Sequence, residues 1–202
     1  NRRKNVISTM ASKKIPCVVV SRNLAPTTEM IEVLEEYGVP LFRTSLSSKA
    51  FTTEVTVLLE ERFAPRSSLH GTLLEIRGIG TLIRGESGAG KSEAALALLE
   101  RGHSLVADDM VKVKLLSDHT PVGFCDELNR GFMECRGIGI INVEKLFGNR
   151  YVRLEKKIEL VVTLLEESSE NELERTGLER KYYEILGAPV PHMEIPVRVG
   201  RD

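Results

Sequence analysis

Thr81-Leu82-Ile83-Arg84-Gly85-Glu86-Ser87-Gly88-Ala89-Gly90-Lys91-Ser92 is the stretch on which the fold turns. Three apolar or β-branched residues enter a glycine-rich octet, and Glu93-Ala94-Ala95-Leu96-Ala97-Leu98-Leu99 leaves it as a strong helix former. Gly85 through Ser92 matches the phosphate-binding P-loop pattern, with a strand before it and a helix after it. Gly85, Gly88 and Gly90 let successive backbone N–H groups turn inward alongside Glu86, Ser87 and Ala89, and the helix start adds unpaired donors and its positive dipole end. In such a loop Lys91 holds the β- and γ-phosphates and Ser92 Oγ ligates Mg²⁺. The spacing predicts a helix over residues 91–101, ended at Gly102, and a strand over 104–107 that runs into Asp108 and Asp109. Two carboxylates soon after a P-loop helix lie where a nucleotide-bound metal or an attacking hydroxyl is met. In extended chain they point to opposite sides, and periodicity leaves open which one faces the phosphate.

Upstream, residues 72–77 and 81–84 read as strands about a Gly78-Ile79-Gly80 turn. Residues 15–21 (IPCVVVS) form a β-branched run with the character of a buried strand. Pro26, Thr27 and Thr28 start a helix whose apolar face is Met30, Ile31, Val33 and Leu34, stopped at Gly38. Residues 40–43 read as a second strand, and Ser47 or Ser48 caps a helix carrying Phe51, Val55, Leu58, Leu59 and Phe63 at helical spacing. That order predicts a small N-terminal α/β module over residues 1–64 and a P-loop catalytic domain over 65–202, joined by a five-residue linker at 64–68 (APRSS). Further on, 111–116 and 157–165 read as strands and 166–175 as a polar loop.

The chain's 202 residues are 42% apolar and 28% charged with a net charge of -1, which excludes disordered and collagen-like classes and a uniformly basic nucleic-acid binder. Its apolar runs are too short to cross a bilayer. Cys17, Cys125 and Cys135 form no CxxC pair, and their odd number suits a reducing, cytoplasmic setting better than a disulfide framework. Cys125 and Cys135 with His119 lack zinc spacing. The chain opens on Asn1 and stops at Asp202 with no targeting signature. Taken one at a time, the histidines read as structural. The run Met133-Glu134-Cys135-Arg136-Gly137-Ile138-Gly139-Ile140-Ile141-Asn142 sets a carboxylate and an arginine beside two glycines, and in isolation it also reads as a loop entering a strand.

Together, His70-Gly71, the P-loop, Val106-Ala107-Asp108-Asp109, the Met133–Asn142 run and Pro196-Val197-Arg198-Val199-Gly200-Arg201 occur in the order and spacing of the bifunctional HPr kinase/phosphorylase family, which this sequence resembles over essentially its whole length. The resemblance implies a mixed-sheet kinase domain similar in its core to phosphoenolpyruvate carboxykinase, and an enzyme that phosphorylates a serine of the phosphocarrier protein HPr with ATP or pyrophosphate and Mg²⁺. It also implies the reverse phosphorolysis, a homohexamer, and a role in regulating carbon metabolism and sugar uptake. Carried over by motif, His70, Lys91, Asp109 and Arg175 form the catalytic set, with Asp108 a supporting or metal-side carboxylate. Ser92 and Glu134 hold the metal, Met133–Asn142 serves both directions, and Pro196–Arg201 serves dephosphorylation. The sequence departs from the family in carrying Val199 where a proline is usual and Asp202 where an asparagine is usual, and family members continue into a C-terminal helix that these residues do not include. A small-molecule kinase of the carboxykinase-like group and a non-catalytic nucleotide sensor are the alternatives that share the P-loop.

Overall fold

The computed structural model describes residues 2–166, except the Glu166 side chain, and 180–197. Two compact units divide the chain, Asn1–Phe63 and Ala64–Asp202. In the first, helix α1 (Arg2–Ala11) precedes strand β1 (Val18–Val20), helix α2 (Thr28–Glu36), strand β2 (Leu41–Arg43) and helix α3 (Ser48–Phe63). Strands β1 and β2 pair in parallel, so α2 is their crossover. Thr27 caps α2 by accepting a hydrogen bond from the Met30 N–H. Buried Ala11, Leu34 and Val39 form the core of this unit. Helix α1 lies outside the sequence expectation because its charged first turn hides a short apolar repeat, of which Ala11 is buried and Ile7 half-buried. Helix α3 buries none of its residues, and its spaced apolar side chains Leu58, Leu59 and Phe63 are exposed.

The second unit starts earlier than the polar stretch 64–68 suggested. Strand β3 (Arg66–His70) takes up most of the expected linker, because antiparallel pairing with β7 (Met110–Leu115) satisfies a backbone that composition alone marks as loop. His70 ends this strand. After it come β4 (Thr72–Ile76), β5 (Ile79–Gly85), α4 (Lys91–Glu100), β6 (Ser104–Ala107), β7, β8 (Pro121–Phe124), the β9–β10 hairpin (Phe132–Cys135 and Gly139–Asn142), α5 (Val143–Phe147), β11 (Glu155–Lys157), β12 (Leu160–Glu166), β13 (Lys181–Ile185) and β14 (Ala188–Val197). The stretch expected as one strand over 157–165 is two, β11 and β12, which pair in different sheets. The run 134–142 is an antiparallel hairpin, because Gly137 at φ 81° permits its tight reversal.

A six-stranded mixed sheet of order β13-β14-β12-β5-β4-β6 carries the site. Successive residues face opposite layers: Leu73 and Leu82 join the cluster with Val111 and Val113 of the four-stranded sheet β11-β8-β7-β3, whereas Leu74 and Ile83 join Ala95 and Leu99 of α4. Leu73, Leu74, Leu82 and Leu99 are wholly buried, each stabilising the fold by roughly 1.5–3 kcal/mol relative to exposure. Strands β5, β12 and β14 are mutually parallel, and β6 runs with them because both it and β5 oppose β4. All four therefore bring their carboxyl ends to one edge, the usual place for a ligand in an α/β sheet.

Candidate functional site

The P-loop leaves the carboxyl end of β5, and α4 begins at Gly90 with φ 88° and no side-chain cap, so the helix's first donors stay open toward the loop. Lys91 folds back over the turn and donates from Nζ to the carbonyls of Gly85 at 2.9 Å and Glu86 at 2.8 Å. These are the bonds a phosphate would compete for. Ser87, Gly88, Gly90, Lys91 and Ser92 line one pocket together with Thr72, Glu93, Asp108, Asp109, Glu134 and Arg136.

The two aspartates are placed differently. Asp108 has both carboxylate oxygens engaged: Thr72 Oγ1 donates to Oδ1 at 2.7 Å, and the Glu134 N–H donates to Oδ2 at 3.0 Å. Asp109 turns at φ 62°, and its Oδ1 lies 3.3 Å from His70 Nδ1, both side chains being exposed. The His70 and Asp109 pairing is long-range: the β3–β7 ladder sets His70 opposite Met110.

The hairpin brings Glu134 and Arg136 to the same pocket. Arg136 Nη2 donates to Ser87 Oγ at 3.3 Å, and its Nη1 stands 3.1 Å from where a Cβ on Gly88 would lie. A second cation thus meets the loop beside Lys91. Met133 and Cys135 point the other way, into the α4 core, and burial together with the carboxylates of Asp108 and Glu93 pushes the Cys135 thiol up. Protonated and packed, it is a core residue. Ile138 and Ile140 are exposed on the hairpin, Gly139 opens β10, Ile141 packs against the α4 core, and Asn142 caps α5 by accepting from the Lys145 N–H.

Among the described residues no group of three or more His, Cys, Asp and Glu side chains forms a cation cage. The pocket nevertheless offers oxygen donors of the right kind, the Ser92 hydroxyl and the Asp108, Asp109 and Glu134 carboxylates. That sparse set fits Mg²⁺, which keeps waters and is held largely through substrate phosphates. Of the remaining residues carried over by motif, Pro196 and Val197 end β14 on the ligand-side edge, while Arg175, Arg198, Val199, Gly200 and Arg201 lie outside the described residues. Thr72 and Glu93 line the pocket but were not singled out by sequence. Thr72 opens β4 directly after His70-Gly71, but nothing in its residue type marks it as part of the site. Glu93 directly follows the P-loop octet, which is the one signal that marks it.

The family profile described as HPr Serine kinase C-terminal domain matches residues 61–202, and that described as HPr Serine kinase N terminus matches residues 1–59. The chain belongs to the HPr serine kinase family. It is 46% identical over 188 residues to the HPr kinase/phosphorylase of Leptospira biflexa, covering 92% of this chain and 58% of that protein. It is 44% identical to the HPr kinase/phosphorylase of Caldicellulosiruptor bescii, covering 100% of this chain and 65% of the relative. The chain thus spans about three-fifths of the length of these curated relatives. The solved structure of the Hpr(Ser) kinase/phosphatase from Coxiella burnetii matches with a TM-score of 0.61 at 37% identity, covering 67% of this chain and 82% of that one. As an HPr serine kinase family member, the chain has the expected mixed α/β class: a small N-terminal unit and a mixed-sheet P-loop unit. None of its described helices is long and apolar enough to cross a membrane.

Proposed function

We propose that this chain phosphorylates a serine hydroxyl of the phosphocarrier protein HPr, with ATP or pyrophosphate as donor, and reverses the transfer by phosphorolysis with inorganic phosphate. The observation that carries this reading is the meeting of the P-loop, both aspartates, Glu134 and Arg136 in one pocket of a chain matched nearly end to end by the two HPr serine kinase profiles. The relatives' names, HPr kinase/phosphorylase, supply the acceptor and the two directions.

Phosphoryl transfer asks for positioning and charge stabilisation. The turn of the P-loop and the uncapped α4 N-terminus receive the phosphates, while Lys91 moves from its carbonyl partners onto β- and γ-oxygens. Ser92 and Glu134 would hold Mg²⁺, which would supply positive charge against the donor's phosphates. Asp109, within reach of His70, takes the proton as the serine Oγ forms its bond to phosphorus and the bond to the leaving group breaks, ADP from ATP or phosphate from pyrophosphate. In reverse, phosphate oxygen attacks the phosphoserine, pyrophosphate forms, and Asp109 returns the proton to the serine oxygen. Arg136 adds positive charge at the loop, and Arg175 and the 196–201 segment complete the set by motif. A cytoplasmic setting, assembly as a homohexamer and control of sugar uptake belong to the same proposal.

Phosphorus-31 NMR of the full-length protein with Mg²⁺-ATP and HPr tests it. A growing phosphoserine resonance, followed by pyrophosphate once ATP is replaced by inorganic phosphate, is expected. Absence of phosphoserine overturns the reading, and phosphoserine without pyrophosphate overturns its reverse half.

A further inference from the structure

Which of the two adjacent aspartates faces the P-loop is decided by one extra residue in β6. Leu74 pairs with Leu105 and Glu75 with Ser104, but Leu73 pairs with Ala107, so Val106 is a bulge. Its mark is visible in the packing, because the consecutive residues Val106 and Ala107 both enter the core cluster that holds Leu73, whereas Leu105 enters the α4 cluster with Leu74. A regular ladder continued from Leu74 and Leu105 would set Asp108 opposite Gly71, which has no side chain. It would also turn Asp108 away from α4. The bulge advances β6 by one position and sets Asp108 opposite Thr72, on the α4 side.

Thr72 answers it. The residue is 1% exposed and its hydroxyl donates to Asp108 Oδ1 at 2.7 Å. The other oxygen accepts from the Glu134 N–H at 3.0 Å, so the carboxylate is clamped between β4 and β9. We propose that Thr72 is a positioning residue: with the bulge at Val106 it fixes the Asp108 carboxylate, and through it the strand carrying Glu134, at the mouth of the P-loop. Asp109 is left to the His70 side, and the two carboxylates cannot exchange roles without a change of register. What is turned over at the site rests on the function proposed above; the geometry does not.

The test compares Thr72→Val, which keeps the β-branched shape and removes the donor, with Thr72→Ser, which keeps the donor, in the full-length protein. Serine phosphorylation in Thr72→Val is expected to lose about tenfold in kcat, with KM for ATP within about twofold, and Thr72→Ser to return within about threefold of wild type. Combining Thr72→Val with Asp108→Asn is expected to cost no more than Asp108→Asn alone. Independently of turnover, hydrogen exchange at the Glu134 amide is expected to accelerate about tenfold in Thr72→Val and in Asp108→Asn, but not in Thr72→Ser. A kcat within twofold of wild type in Thr72→Val, equal losses in the Val and Ser variants, or additive losses in the double variant overturn the proposal. If wild type makes no phosphoserine, the proposed function fails and the amide decides: unchanged exchange in Thr72→Val overturns the positioning role, and faster exchange upholds it.

Discussion

Gly85→Ala probes the joint between the P-loop and the sheet. Gly85 sits at φ 153° directly beside β12, and a Cβ there would stand 2.8 Å from the Leu164 carbonyl oxygen, 3.1 Å from the Ala89 Cβ and 3.2 Å from the Leu164 Cβ. The first of these is backbone of the paired strand β12, at buried Leu164, so the loop must move. A sparsely allowed conformation costs about 1–3 kcal/mol. Overpacking adds about 1–3 kcal/mol. The sum, about 2–6 kcal/mol, is a large share of the roughly 5–15 kcal/mol that holds a domain folded. Gly90→Ala is the matched control: its φ is 88°, but a Cβ meets nothing within 4 Å, so it carries conformational strain alone, about 1–2 kcal/mol. Urea unfolding, followed through the transition of the P-loop unit, should rank Gly85→Ala well below Gly90→Ala, with nucleotide affinity reduced in both. In Gly90→Ala the affinity loss should exceed what the stability loss suggests, because the strained residue sets the donors at the helix start. A Gly85→Ala protein within about 1 kcal/mol of wild type, or no less stable than Gly90→Ala, refutes the close approach of loop and strand.

Lys91→Met keeps the length of the side chain and removes its charge; losing a charge-assisted bond to phosphate should weaken nucleotide binding by about 10–150-fold in a titration, and affinity within twofold of wild type would contradict the cradle. Asp109→Asn should lose about a hundredfold or more in both reaction directions while nucleotide affinity stays within about threefold, since asparagine tolerates the left-handed backbone at this position; retained turnover excludes Asp109 as the base. His192 should titrate by NMR below the ordinary histidine value, because burial disfavours its charged form, with Arg84 and Lys181 adding to the effect and Glu194 opposing it. The unfolded chain then binds the proton more readily, so this contribution to stability is complete above about pH 6.5 and is lost as pH falls toward the folded value. His192→Gln should flatten that loss, and a midpoint at or above the peptide value counts against the burial account.

The legible parts of this protein are those whose signal is local. A phosphate cradle is built from one strand end, one turn and one helix start, so Gly85–Ser92 announces loop, flanking elements and ligand within a dozen residues. The same holds for α2, whose cap and apolar face lie within one short segment. Segments that owe their state to a distant partner were not legible. The polar residues of β3 are a strand because β7 supplies its hydrogen bonds, and in the locally paired hairpin 132–142 it is packing against the distant α4 that puts Cys135 in the core and leaves Glu134 exposed. By itself the sequence determined the P-loop, the nearby pair of carboxylates and the family order of motifs. Only the tertiary structure decided that Arg136 meets Ser87, that His70 meets Asp109, and that Asp108 faces Thr72. The reason is that strand alternation assigns each residue a side only once the register is known, and here a single unpaired residue, Val106, reverses the assignment.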